Sequence, residues 1–231
     1  VLERALEDAE ILVDGGLSGL LVENFGDTPF FPARVPPETV AAMAVALREV
    51  VGSTGLPVGV NVLRNDAEAA LAVAAAGGGS FIRVNVHVGS MFTDQGLLSG
   101  GAFQTLRKRK ALGLPIPVLA DVFVKHSTPP PGLSLESAAR DCYLRGKADA
   151  LILTGSETGR CIDSDSIGRV REVLPAAAKI WIGSGATAAN VSTLLSSADG
   201  LVVGSALQKG GVAGAGVERD RVRTFMENAV G

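Results

Sequence analysis

Cysteine, histidine and aromatic side chains are all scarce in this sequence. The two cysteines, Cys142 and Cys161, stand in no C-x-x-C spacing. That excludes a disulfide framework or a thiolate cluster as the basis of the fold and fits a reducing, cytoplasmic setting. Neither has an electropositive sequence context, so both read as ordinary helix or loop residues rather than nucleophiles. Aromatics make up 4% of the chain, too few to build stacking platforms for nucleobases. Charge of one sign is lacking too: the net charge is −3 with both signs interspersed, and no basic stripe offers a nucleic-acid face. No apolar run approaches the ~20 residues of a membrane span, and no secretory signal is visible at the N-terminus. Walker A, H-E-x-x-H and EF-hand patterns are absent.

What is present is apolar and periodic. Hydrophobic residues reach 47% against 19% charged, enough for a sizeable core. Helical periodicity over residues 2–14 places Leu2, Ala5, Leu6, Ala9 and Val13 on one face, and Gly15-Gly16 stops it. Buried-strand runs follow at 19–23, 57–62, 81–86, 116–122, 148–154, 179–183 and 199–204. Between them lie helical stretches starting at Pro36-Pro37 and near 67–76, 101–112, 135–146, 164–174 and 188–196, with a last helix near 218–229. Residues 87–99 read as a long loop. Strict alternation of this kind predicts a parallel sheet with right-handed crossovers. An open doubly wound sheet would carry G-x-G-x-x-G early. The Gly-rich run here, residues 211–216, follows the last strand and has Arg219 where the third glycine would fall. The sequence therefore predicts an α/β fold, a (β/α)8 TIM barrel in one domain over 1–231. Seven strands with a helix in front leave one strand to be expected before Val1. The Ala-rich helices near 40–47 and 67–76 could support a homo-oligomer, but packing on the barrel's own strands is the simpler expectation.

Alternation along each strand assigns its faces. In the third predicted barrel strand Ile82, Val84 and Val86 are apolar, so Arg83, Asn85 and His87 fall on the inner face. The same parity turns Glu23, Asn61, Asp121 and Lys125 inward and leaves Thr154 at a strand end, with His126 beside Lys125. Such charges must pair with one another or meet a ligand, since an unpaired buried charge is costly. A purely structural barrel interior is mostly Val, Ile and Leu, and barrel active sites lie at strand C-termini. A ligand site is therefore expected here. Asp121 or Glu23 would act as general base, His87 or His126 would relay protons, and Lys125 would stabilise an oxyanion or form a Schiff base. Asn61, Arg83, Asn85 and Thr154 would bind substrate. Glu23, His87, Asp121 and His126 also leave a divalent metal open.

The last two strands end in Gly183-Ser184-Gly185 and Gly204-Ser205. Barrels often hold a phosphate between the loops in these positions, because glycine lets backbone N–H groups approach the oxygens. These five residues are the expected phosphate site, and a phosphorylated small molecule is the expected partner. A second cluster at 154–159 is either another anion cradle or a plain loop.

Ordered motifs across nearly the whole chain resemble the BtpA/SgcQ family: VENFGDTPF (22–30), GVNVLRND (59–66), FIRVNVHVG (81–89), TDQG (93–96), ADVFVKH (120–126), ADALILTGSETG (148–159), GSGATAANV (183–191) and DGLVVGSALQKGG (199–211). The resemblance implies a barrel of the ribulose-phosphate-binding class. It also implies a first strand with a His-Leu and Pro-Gly-rich segment, which is not in this sequence. One branch of that family is linked to photosystem I biogenesis and another to sugar-metabolism genes. The resemblance implies no particular reaction. Two functions stay open at this stage: an isomerase, lyase or hydrolase acting on a phosphorylated metabolite, and a non-catalytic assembly factor.

Overall fold

The computed structural model describes residues 1–155 and 162–230. Helices and strands alternate as α1 (Leu2–Asp14), β1 (Leu20–Glu23), α2 (Pro37–Thr54), β2 (Val58–Asn61), α3 (Ala67–Gly77) and β3 (Phe81–Val84). Two short strands follow, β4 (Ser90–Thr93) and β5 (Gly96–Ser99). Next come α4 (Ala102–Leu112), β6 (Val118–Val122), the two-residue β7 (Ser127–Thr128) and α5 (Leu135–Arg140), which continues as a π turn over Asp141–Arg145. The chain then runs through β8 (Ala150–Thr154), α6 (Ser164–Glu172), β9 (Lys179–Gly183), α7 (Val191–Ser197), β10 (Gly200–Val202) and α8 (Arg219–Val230).

Seven strands form one parallel sheet in the order β1-β2-β3-β6-β8-β9-β10. Helical crossovers make that possible, since parallel neighbours need a dozen or more residues to return. The sheet is curled in the manner of a TIM barrel, with β1 and β10 at its edges and no described strand joining them. Outside the sheet, α2 and α3 bury Met43, Leu47, Leu71 and Val73 against Val58, Val60 and Ile82. The later helices bury Ile167, Val191, Val222 and Phe225 against Leu151, Leu153 and Ile180. The Ala-rich α3 thus spends its apolar surface on the chain's own sheet.

Inside, a separate apolar floor forms from Leu119, Ala150 and Ile152 with Phe81, Trp181 and Val202. Gly59 leaves the space that the Phe81 ring fills: a Cβ there would sit 2.1 Å from the ring. Two residues further along the strands, the inward positions become Arg83, Asp121 and Thr154. The polar site therefore stands directly on the apolar floor, as strand parity requires.

Residues 87–99 are not a plain loop. Ser90–Thr93 and Gly96–Ser99 pair antiparallel as a hairpin, with Ser90↔Ser99 and Met91↔Leu98 opposed, and β4 also pairs β7. Met91 and Leu98 bury one face against Val86 and Val124, while Phe92 and Leu97 face out. Gly96, at φ 96°, makes the turn that only glycine adopts freely. Residues 101–112 and 218–229 form helices within a residue or two of expectation. The expected helix over 135–146 is α-helical only to Arg140, and that near 188–196 starts at Val191.

Candidate functional site

Arg83 organises the mouth of the sheet. Its Nε donates to Asp121 Oδ1 at 3.0 Å and one Nη to Asp121 Oδ2 at 3.1 Å, a two-pronged clamp. The other Nη reaches Glu23 Oε1 at 3.3 Å, which also accepts from Asn61 Nδ2 at 2.9 Å. Asn85 Nδ2 donates to Asp121 Oδ2 at 2.7 Å. Burial alone would lower the Arg83 pKa, but the Asp121 and Glu23 carboxylates outweigh it and hold the guanidinium above its ordinary value. Gly183 makes room for Ile152 beneath this group, since a Cβ there would lie 2.8 Å from the Ile152 side chain but at an ordinary 3.6 Å from the guanidinium.

Above the clamp lies a cavity of about 320 Å³ lined by the charged and polar side chains of Glu23, Arg64, Arg83, Asp94, Lys125 and His126. Asn61 and Asn85 line it as well, and Phe25, Phe30, Leu63 and Val124 supply apolar wall. Glu23 offers its second oxygen, Oε2, with no hydrogen bond to another described residue. Lys125 has no ion pair among the described residues. Burial first, and then the neighbouring Arg83, pull its ammonium pKa below the ordinary lysine value. Burial, aided by Lys125, also lowers the pKa of His126.

The segment after β2 shows how sequence builds this wall. Arg64 enters the cavity and donates to the Lys125 carbonyl at 2.8 Å. Asn65 bonds both the N–H and the carbonyl of Val86, fixing it to the exit of β3. Asp66 caps α3 at the Ala69 N–H and accepts from Val35 N–H, each at 2.9 Å. Asn24, just past β1, bonds Leu63 through both its N–H and its carbonyl. Three loops are thereby tied together around Arg64.

The structure brings Glu23, Asn61, Arg83, Asn85, Lys125 and His126 to one cavity; Glu23, Asn61 and Arg83 lie on their strands, whereas Asn85, Lys125 and His126 follow the ends of β3 and β6. Asp121 sits beneath them with a side chain of zero exposure and three N–H donors on its two oxygens. It positions Arg83. His87 corrects the expectation. β3 ends at Val84, the period-2 parity lapses, and the imidazole turns outward, where Nε2 meets the Gly146 carbonyl at 2.9 Å. It is fully buried, lines no part of the cavity, and burial lowers its pKa. Thr154 is also diverted: its hydroxyl donates to the Phe123 carbonyl at 2.6 Å, holding a residue at φ 58°. Cys142 is buried and its thiol pushed up to about 12 by desolvation, so it is inert. Residues 156–159 of the second Gly/Thr cluster, and Cys161, lie outside the described residues.

Gly183-Ser184-Gly185 and Gly204-Ser205 end adjacent strands, with Val202 in register with Gly183. Ser184 has φ 70° and Gly185 φ 76°, and neither serine hydroxyl bonds another described residue. None of these five lines the cavity above Arg83. Among the described residues no three His, Cys, Asp or Glu side chains converge as a metal site, so Glu23, His87, Asp121 and His126 are not gathered into one. Sequence reasoning missed Arg64, Asp94 and the Phe25–Phe30 pair, all on loops beyond the reach of strand parity.

Residues 1–231 match the BtpA family over their whole length. The chain belongs to the BtpA family. The photosystem I biogenesis protein BtpA of Synechocystis is 42% identical over 230 residues, covering 98% of this chain and 79% of that protein. The putative sgc region protein SgcQ of Escherichia coli K12 is 30% identical over 228 residues, covering 98% and 84%. In fold this BtpA-family chain is similar to N-(5'-phosphoribosyl)anthranilate isomerase from Pyrococcus furiosus, with a TM-score of 0.63 at 17% identity over 98% of this chain and 94% of that one. That likeness establishes the barrel-type fold. No helix among the described residues is long and apolar enough to cross a membrane.

Proposed function

We propose that this chain is an enzyme acting on a phosphorylated small molecule, sugar- or nucleotide-like, by acid/base chemistry at the C-terminal mouth of the sheet. The observation that carries the reading is Glu23 and Lys125 facing one cavity, each with an uncommitted polar atom, over the rigid Arg83–Asp121 clamp. Glu23 is oriented through Oε1 by Asn61 and Arg83, so Oε2 takes the proton. Lys125 stabilises the negative charge that develops on the substrate oxygen, and His126 exchanges protons at the rim. The phosphate rests on Ser184, Gly185, Gly204 and Ser205, with Gly183 leading into the turn; these positions follow the last two strands, where barrels bind phosphate through backbone N–H groups. Phosphorylated sugars and nucleotides are expected to raise the melting temperature. Glu23→Gln is expected to lower turnover of the responsive compound ~10²–10⁴-fold while binding persists. A panel with no thermal shift, together with unchanged activity in Glu23→Gln, would refute the reading.

A non-catalytic role in assembly or stability of a larger complex is the second reading. It is favoured by one observation: the Synechocystis relative, 42% identical, is named for photosystem I biogenesis.

A further inference from the structure

The charges around the cavity do not pair off evenly in space. Arg83 is claimed by Asp121 at 3.0 and 3.1 Å and by Glu23 at 3.3 Å. Arg64 and Lys125 are claimed by no carboxylate among the described residues. Arg64 is only 5% exposed, among the described residues its guanidinium makes one hydrogen bond, to the Lys125 carbonyl at 2.8 Å, and no carboxylate of a described residue lies within 4 Å of either cation. Asp94, on the β4–β5 hairpin, lines the same cavity but accepts from its own neighbour Gln95. Arg64 and Lys125 are like charges lining one cavity, each largely withdrawn from water, an arrangement that an incoming anion relieves.

We infer that Arg64 and Lys125 form a carboxylate-binding subsite, so that the ligand is an acid carrying a second anionic group away from its phosphate. The phosphate end of this statement rests on the function proposed above; the carboxylate end stands on Arg64 and Lys125. The chemistry of the lining decides between carboxylate and phosphate here. A guanidinium fork and one ammonium match a planar monoanion. A phosphate would use several backbone N–H groups or hydroxyls, but among the described residues the cavity is lined by no glycine and one hydroxyl, that of Thr28, which is donated to the Phe25 carbonyl at 3.2 Å. Backbone approach is available instead at the Gly/Ser turns after β9 and β10. Three strands separate β2, which leads to Arg64, from β9 in the sheet order, so the two anion sites face each other across the mouth. In the same cavity as Arg64, Glu23 and Asn61 present hydrogen-bonding groups suited to hydroxyls. The Phe25 and Phe30 rings, with centroids 6.3 Å apart, wall the side toward Arg64. The substrate class is a phosphorylated polyhydroxy acid.

The test is calorimetric titration with gluconate, glucitol 6-phosphate and 6-phosphogluconate, probes that separate the two anions. The wild-type chain is expected to bind 6-phosphogluconate at least about 10-fold more tightly than glucitol 6-phosphate. Arg64→Gln and Lys125→Met should each bring that ratio toward 1, weakening 6-phosphogluconate far more than glucitol 6-phosphate. Arg64→Lys should retain part of the preference, and thermal melts confirm that each variant is folded. Ser205→Ala should weaken both phosphates by one common factor and leave gluconate alone. A wild-type ratio of 1, or a ratio that survives in both cation variants, overturns the carboxylate subsite and leaves the phosphate reading standing. Gluconate binding that is lost in Arg64→Gln, with no advantage from the phosphate, supports the subsite and overturns the phosphate reading. Absence of binding by all three probes overturns both.

Discussion

An arginine 8% exposed inside a sheet is stable only because its charge is matched there. Asp121 meets it with two hydrogen bonds and Glu23 with a third. Removing one partner of such a pair costs far more than removing both, because the survivor keeps a charge it cannot hydrate. Arg83→Met is therefore expected to destabilise the chain by about 3–5 kcal/mol in urea unfolding. The double variant Arg83→Met with Asp121→Leu should recover most of that loss while remaining inactive. A double variant as unstable as the single would show that Arg83 contributes packing rather than charge balance. The same logic separates roles within the site. Asp121 lies under the clamp, and Glu23, with a side chain 26% exposed, retains an oxygen for the ligand.

At the scale of elements, one device fastens two strand starts. Asp149, just before β8, accepts from the Val118 N–H at 2.8 Å and from Arg109 of α4, while its own N–H donates to the Val118 carbonyl. Asp199, just before β10, does the same with Ile180 and adds Arg171 of α6 and Lys179. Burial works against the Asp199 charge, but the Ile180 N–H and the two cations prevail and hold its carboxyl at about 2. A carboxyl depressed in the folded chain adds stability above its unfolded pKa of about 4, and that stability is lost as pH falls toward 2. Asp199→Asn is thus expected to cost about 1 kcal/mol at pH 7, its cation partners being largely solvated. The melting-temperature gap to wild type should close between pH 4 and pH 2, and a gap independent of pH would contradict the assignment. These elements also mark how far sequence could be read. Strand parity located Arg83 and Asp121 because Val and Ile at alternate positions fix the faces; Lys125 lies past the end of β6, beyond Phe123 at φ 58°, and reaches the cavity together with Val124, which parity had turned outward. Parity failed at His87, where β3 had already ended. It was silent on Arg64, whose direction comes from the bonds of Asn24, Asn65 and Asp66 rather than from any period. The β4–β5 hairpin was in principle legible, since Met91 and Leu98 flank a turn at Gly96, but four-residue strands carry little periodicity.

At the scale of the whole molecule, regular strand–helix alternation was enough to anticipate a curled parallel sheet, because each helical crossover permits few alternatives. What alternation could not supply was the task of the mouth, since barrels of one architecture host unrelated activities. The two readings of this chain diverge on one substitution. Lys125 contacts the ligand in the enzyme reading, and its long side chain is directed into a cavity rather than onto an outer face. A partner protein that docks on the exterior has no use for it. Lys125→Ala is accordingly expected to abolish turnover of a phosphorylated substrate without changing what a tagged chain captures from extract of its own cells. Capture of one stable, stoichiometric partner by wild type and Lys125→Ala alike, in a chain that turns over no phosphorylated compound, would establish the assembly role. Turnover lost in Lys125→Ala, with no stoichiometric partner captured, would leave the enzyme reading alone. The comparison decides between them because it changes the interior of the mouth and leaves every outward-facing helix as it was.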